Sequence, residues 1–315
     1  MTDLRIVFMG TPDFAVGILD ALCKKGYAVV GVITAPDRPA GRGRKVNQSA
    51  VKRYVLANDL TVLQPTNLKD PEFIETLTKL KANLQIVVAF RMLPKVVWQL
   101  PALGTFNLHA SLLPEYRGAA PINWVLMNGE TKTGVTTFFI DEKIDTGAII
   151  LQDEIAISPD EDAGALHDRL MRLGTDTVLK TVKRIEEGNL STTIQENSTD
   201  LKIAHKLDRE MCRIDWGLPL ESVYNHIRGL SPYPTAWTSL VLNEDELIVK
   251  IYKVKAEKET HNLKSGKLVF DKKEIRVAVN GGYIKLLEIQ LQGKRRMATA
   301  AVLNGLKLPE NAFFR

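Results

Sequence analysis

Three side chains in this sequence have the types and spacing for chemistry on a carbonyl group: Asn107 and His109, two residues apart, and Asp145 in Asp145-Thr146-Gly147. An amide can donate to a carbonyl oxygen, an imidazole can move a proton near neutral pH, and a carboxylate can orient that imidazole or accept a proton. A histidine at a strand end, taken alone, is more often a packed structural residue; the three together change that reading. Between them stand Ser111-Leu112-Leu113-Pro114 and Arg117-Gly118-Ala119-Ala120-Pro121. No Gly-x-Ser-x-Gly surrounds Ser111, and Cys23 is distant in sequence, so the set points to acyl transfer without a covalent enzyme intermediate.

Positioning these groups requires a strand that ends at His109. Residues 104–109 have that character, and similar apolar runs occur at 5–9, 28–33 and 84–89. Helical periodicity separates them: Phe14, Val16, Ile18, Leu19 and Leu22 ahead of Gly26, then 49–58 and 71–81, with a further helix at 121–127. Alternating buried strands and helices predict an α/β domain with a Rossmann-like parallel sheet, helices on both faces, and a site beyond the strands' carboxyl ends. The spacing of two puts Asn107 and His109 on one face of their strand. A strand at 133–140 precedes Asp145, and a long helix at 163–187 closes the domain at Gly188-Asn189. The first turn, Gly10-Thr11-Pro12-Asp13-Phe14, has one glycine where a dinucleotide site would carry three, so it reads as a structural or substrate-facing turn.

The catalytic domain is expected over 1–189, with a polar linker at 190–208. The pattern then changes to a helix at 219–227 and five short strands at 237–242, 247–254, 267–270, 275–279 and 283–287, which predict a small OB-like β-barrel over 209–315. Charge follows this division. Residues 209–315 carry 18 Lys and Arg against 12 Asp and Glu, whereas residues 1–208 carry 24 against 25, so the net charge of +5 resides in the second domain. Such asymmetry suits a polyanionic partner or a solvated basic face. In the first domain, Arg38, Arg42, Arg44 and Lys45 lie in a segment rich in Gly and Pro that reads as an exposed, mobile loop suited to phosphate contact or insertion into a nucleic-acid groove.

A chain of 315 residues that is 45% hydrophobic and 25% charged has the composition of soluble globular proteins, and the apolar run 6–9 is too short for a signal sequence or a membrane span. A cytoplasmic monomer with no membrane contact is the expectation. Cys23 and Cys212 fall in different domains without a Cys-x-x-Cys pattern, so neither a disulfide framework nor a metal site is signalled.

Asn107-x-His109, Ser111 to Pro114 and Asp145-Thr146-Gly147 together resemble the folate-dependent formyltransferases. The resemblance extends over essentially the whole chain, through the loop 36–45, Arg117 to Ile122, Arg213-Ile214-Asp215-Trp216 and residues 227–234. It implies transfer of a formyl group from 10-formyltetrahydrofolate, with no metal, to the α-amino group of methionine esterified to initiator tRNA. It also implies that Asn107, His109 and Asp145 are catalytic and that Ser111, Leu112, Leu113 and Pro114 with Phe90, Arg91 and Met92 hold the folate. The loop at Arg38, Arg42, Arg44 and Lys45 would inspect the acceptor end, and Lys294, Arg295 and Arg296 would contact phosphates. Two segments depart from the family pattern. Phe90 to Pro94 is shorter and lacks a glycine, and Lys143 stands where glycine is usual. Both border the pterin pocket in the family, which would bring Arg91 and Lys143 toward the donor's glutamate tail.

Two other readings share part of the pattern. A formyltransferase for a small amine, such as an aminosugar nucleotide or glycinamide ribonucleotide, would use the same trio but needs neither the basic loop nor the basic barrel. A non-catalytic RNA-binding protein would have no use for Asn107, His109 and Asp145 together.

Overall fold

The apolar run near the N-terminus forms β1 (Arg5–Gly10), buried from Ile6 onward. The helix that follows, α1 (Asp13–Lys24), buries Phe14, Ala15, Ile18, Leu19 and Leu22 and carries Asp13 and Lys24 at the ends its dipole favours. A Cβ at Gly10 would lie 2.5 Å from the Ala15 Cβ, so the glycine of this first turn is explained by close strand–helix packing. The computed structural model describes residues 3–40, 45–196, 199–243 and 245–315. It divides into two compact units: Met1–Gly118 with Thr133–Ile155 and His167–Ile203, and Ala119–Lys132 with Ala156–Leu166 and Ala204–Arg315.

The first unit continues with β2 (Ala28–Ile33), β3 (Val62–Leu63), β4 (Leu84–Val88), β5 (Thr105–His109), β6 (Lys132–Phe139) and β7 (Ile149–Ala156), in sheet order β7-β6-β5-β4-β1-β2-β3. Parallel pairing runs from β3 through β2, β1 and β4 to β5. Helices α2 (Ala50–Ala57) and α3 (Pro71–Lys79) lie in the crossovers, started by Ser49 and Asp70, whose side chains accept from the backbone N–H of Lys52 and Glu72. Strand β6 runs antiparallel to β5, with His109 opposite Thr136 and Phe106 opposite Phe139. That reversal carries the chain back along β5, so residues 140–148 must turn again for Asp145 to approach His109.

The second unit holds α4 (Pro121–Met127) packed on α6 (Leu220–Leu230). The expected long helix is present as α5 (Ala163–Glu186), which belongs to the first unit from His167 onward. The Asn123 amide donates to the Gly229 carbonyl at 2.7 Å, and a Cβ at Gly229 would lie 2.7 Å from Met127 Cγ. The barrel strands are β8 (Ala236–Leu242), β9 (Asp245–Lys258), β10 (Leu268–Phe270), β11 (Ile275–Val279), β12 (Gly282–Leu291), β13 (Met297–Ala298) and β14 (Phe313–Phe314). Their order is β10-β11-β12-β9-β8-β14, with β13 on β12, and a bridge from Lys267 to Phe313 nearly closes the ring. The five expected strands are present, but β9 runs to Lys258, because alternation continues past Val254, with half-buried Val254 and Ala256 on either side of exposed Lys255. Trp216 stacks on Phe314 in the core, centroids 5.4 Å apart, and its indole N–H donates to Thr238 Oγ1. No described helix is long and apolar enough to cross a membrane. No described group of three His, Cys, Asp or Glu is arranged to hold a metal, and both cysteines are free.

On α6, the His226 Nε2 is sealed from solvent without a hydrogen-bond partner. Burial pushes its pKa below the ordinary 6.5, against weaker opposing contacts with the backbone of Cys212 and Arg213. The folded protein therefore keeps His226 neutral, while the unfolded chain takes up a proton as pH falls through about 6.5. Stability from this neutral histidine is present above that pH and is lost on acidification toward the folded pKa. Tm measured from pH 7.5 to 5 should fall less steeply in His226→Gln than in the wild type; equal slopes would show that another group governs acid sensitivity.

Candidate active site

Strand β5 delivers Asn107 and His109 to one side of the sheet, Asn107 half-buried and His109 buried. Among the described residues, the Asn107 amide is engaged by no other group of the chain. The His109 Nε2 lies 2.8 Å from the Tyr116 carbonyl oxygen. A carbonyl only accepts, so Nε2 carries the hydrogen and Nδ1 is left for chemistry. Nδ1 lies 3.7 Å from the Asp145 carboxylate, too far for a direct hydrogen bond but close enough to stabilise an imidazolium.

Asp145 occupies the left-handed region, φ +55°, a conformation that a non-glycine residue keeps only when its surroundings impose it. Those surroundings are visible. The Gly118 N–H donates to Asp145 Oδ2 at 2.9 Å. Gln195 Nε2 donates to the carbonyls of Asp145 and Gly147 at 3.0 and 2.7 Å, and Arg117 donates through Nε and Nη2 to Gln195 Oε1 at 3.1 and 2.7 Å. A Cβ on Gly147 would fall 1.7 Å from the Phe139 carbonyl oxygen, so only glycine lets the loop return against β6. Gln195 lies in the polar stretch read as a linker, where Thr193 pairs with Ile149 in both directions. No local signal marks it, because its partners are at 117, 145 and 147.

The Ser-Leu-Leu-Pro turn is held from inside. Ser111 Oγ donates to the Glu115 carbonyl at 2.7 Å. Thr136 Oγ1 donates to the Ser111 carbonyl and accepts from the Leu113 N–H, while Gln152 Nε2 donates to the Leu113 carbonyl. Ser111 and Leu113 thus spend these polar groups on the turn's shape, leaving half-buried Leu112 and Pro114 as the surface it can offer a ligand. Lys95 joins the loop after β4 to the loop after β6 through Glu142, 2.6 Å away. These two loops present exposed Met92 and Ile144, 66% and 61% accessible, which suit the flat apolar faces of a heterocycle.

Phe90 packs against the core beside Leu93. Arg91 donates to the carbonyls of Thr66 and Pro65, which commits two of its donors to the neighbouring loop. Lys143 is absent from the left-handed residues, and its N–H donates to Asp141 Oδ1, so this position does not require the glycine usual in the pattern.

The basic segment differs from the expected loop. Arg38–Ala40 and Lys45–Asn47 pair antiparallel as a short hairpin, so the segment builds its own ladder although Gly and Pro stop it from continuing its neighbours. Arg38 is exposed; Arg42 and Arg44 lie outside the described residues, as does the side chain of Lys45. The hairpin's base is latched by Asp37, which accepts from Lys52 at 2.5 Å and Gln64 at 2.8 Å. Those two donors hold the Asp37 carboxyl below its usual range. In the barrel, Lys294 and Arg295 are exposed between β12 and β13. Arg296 pairs with Glu288 and lies over the Tyr252 ring, 4.4 Å from its centroid. The fold thus places Asn107 and His109 on one strand with Asp145 3.7 Å from the His109 ring, and leaves the folate and tRNA candidates on other segments.

A formyl transferase family model matches residues 4–182, and a model of the formyl transferase C-terminal domain matches residues 206–307. The methionyl-tRNA formyltransferase of Flavobacterium johnsoniae is 63% identical over 312 residues, covering 99% of each chain. That of Bacteroides fragilis is 53% identical, covering 98% of this chain and 97% of its own. Among solved structures, the fold resembles WlaRD, a sugar 3N-formyl transferase, with a TM-score of 0.65 at 19% identity, over 94% of this chain and 100% of that one. It also resembles HypX from Aquifex aeolicus in complex with tetrahydrofolic acid, with a TM-score of 0.66 at 17% identity, over 98% of this chain and 49% of that one.

Proposed function

We propose, because this chain belongs to the formyl transferase family, that it moves the formyl group of 10-formyltetrahydrofolate onto the α-amino group of methionine esterified to initiator tRNA. The observation that carries the chemistry is the His109 imidazole, fixed at Nε2 with Nδ1 3.7 Å from Asp145. The acceptor is supported by the full-length identity to enzymes named for methionyl-tRNA and by the basic residues of the hairpin and the barrel. A small-amine acceptor has neither support.

Esterification withdraws electrons from the methionine amine, so a useful neutral fraction attacks without prior covalent activation. Asn107, with an uncommitted amide, donates to the formyl oxygen as negative charge gathers there. His109, once protonated at Nδ1, donates to the same oxygen, with Asp145 as its counter-charge. The attacking nitrogen loses a proton and the departing folate nitrogen gains one, and the Asp145–His109 pair provides the route between them. The Ser111 to Pro114 turn, Phe90 and Met92 hold the donor in register, and much of the acceleration comes from that contact between amine and formyl carbon. We assign the chemistry to residues 1–189. Residues 209–315, joined through 190–208, contribute tRNA phosphate contacts at Lys294, Arg295 and Arg296, while Arg38, Arg42, Arg44 and Lys45 meet the acceptor end. A cytoplasmic monomer is the expected working form.

Single-turnover formylation of methionine-charged initiator tRNA with 10-formyltetrahydrofolate, beside a charged elongator tRNA, tests this reading. Rapid formylation of the initiator alone is expected. No transfer to either tRNA, with active donor present, would overturn it.

A further inference from the structure

We propose that Gln195 is a positioning residue for the reaction, setting the Asp145 carboxylate against His109 through a bracket made with Arg117. The inference rests on the reading of Asp145 and His109 as the catalytic pair.

The orientation of the Gln195 amide follows from its partners. Arg117 has no acceptor, so the amide oxygen faces its guanidinium; the carbonyls of Asp145 and Gly147 have no donor, so the amide nitrogen faces them. Gln195 is 6% exposed, and an amide buried this deeply is held where both ends are satisfied. Its two N–H groups grip the backbone on either side of Thr146, the stretch that keeps Asp145 at φ +55°. Its oxygen ties that loop to Arg117. The residues flanking Arg117 supply the other contacts of the pair: the Tyr116 carbonyl accepts from His109, and the Gly118 N–H donates to Asp145. One side chain thus couples the loop that carries the carboxylate to the segment that orients the imidazole.

A purely architectural glutamine would leave the chemistry of folded enzyme unchanged when replaced. A positioning glutamine makes a different prediction, because a displacement of about 1 Å at a reacting group can cost roughly a hundredfold in rate. Gln195→Met removes every hydrogen bond at similar length, and Gln195→Glu keeps an acceptor for Arg117 but loses both donors. Each is expected to lower kcat at least roughly tenfold, with KM for tRNA and for folate within about threefold, in protein shown by circular dichroism and thermal melting to be folded. Arg117→Lys should retain more activity than Arg117→Met. The decisive measurement is a double-mutant cycle with Asp145→Asn: Gln195→Met should cost little further in that background, because it acts through a carboxylate already removed. Additive losses, or unchanged kcat in both folded Gln195 variants, would overturn the positioning role. Full activity of Asp145→Asn alone would instead overturn the catalytic reading on which it rests.

Discussion

Replacing Asn107 with alanine is expected to lower kcat for formyl transfer by roughly two to three orders of magnitude, the usual cost of removing one donor from a site where negative charge develops on oxygen. The expectation follows from how the two donors differ. The Nε2 hydrogen of His109 is given to the Tyr116 carbonyl, so the imidazole can serve the reacting oxygen only through Nδ1. The Asn107 amide is half-buried and uncommitted among the described residues, so it can meet the oxygen without first breaking a contact. Its loss should appear in kcat and kcat/KM together, with KM for both substrates little changed, because the interaction strengthens as charge builds. Quenched-flow single turnover at saturating folate measures this directly. A kcat within about threefold of wild type would remove Asn107 from the oxyanion role.

Gly147→Ala should be as damaging by a different route. The added Cβ would stand 1.7 Å from the Phe139 carbonyl oxygen, a backbone atom that cannot swing aside. Moving the loop outward would strain the Phe139 N–H bond to the Ala148 carbonyl and the Gln195 bond to the Gly147 carbonyl, and Asp145 lies only two residues back. Overpacking of this kind costs about 1–3 kcal/mol, and Tm should fall by several degrees. Folded protein should also lose roughly a hundredfold in kcat, since the carboxylate is carried away from His109. Gly305→Ala is the control: nothing lies within 4 Å of a Cβ built there, and both Tm and kcat should be close to wild type. An unchanged kcat in Gly147→Ala would mean that the loop tolerates displacement and that Asp145 is not held by close packing.

The two units were legible to different depths. In the first, buried strands and amphipathic helices announce themselves, and β4, β5 and α1 lie within a residue or two of their apolar runs. In the second, alternation marks five barrel strands but not the pairing of α4 with α6, which depends on close approach at Gly229. The segments Arg213 to Trp216 and 227–234, informative as resemblance, contain core residues: Ile214, Trp216, Ile227 and Leu230 are buried, and the Arg228 guanidinium donates to the Glu161 carbonyl.

By itself the sequence determined the central buried strands and the amphipathic helices, though not the edge strands β3 and β7, and that Asn107 and His109 share one face, because burial periodicity and the two-residue repeat of a strand are local properties. The tertiary structure alone decided that Asp145 returns to His109 after an antiparallel strand, that a glutamine from a polar stretch braces it, and that the basic segment pairs as a hairpin. It also set Arg296 beside Glu288 and over the Tyr252 ring. Each of these depends on atoms brought together from separate parts of the chain, or on a cross-strand register, and no local pattern of residues encodes where such partners will meet.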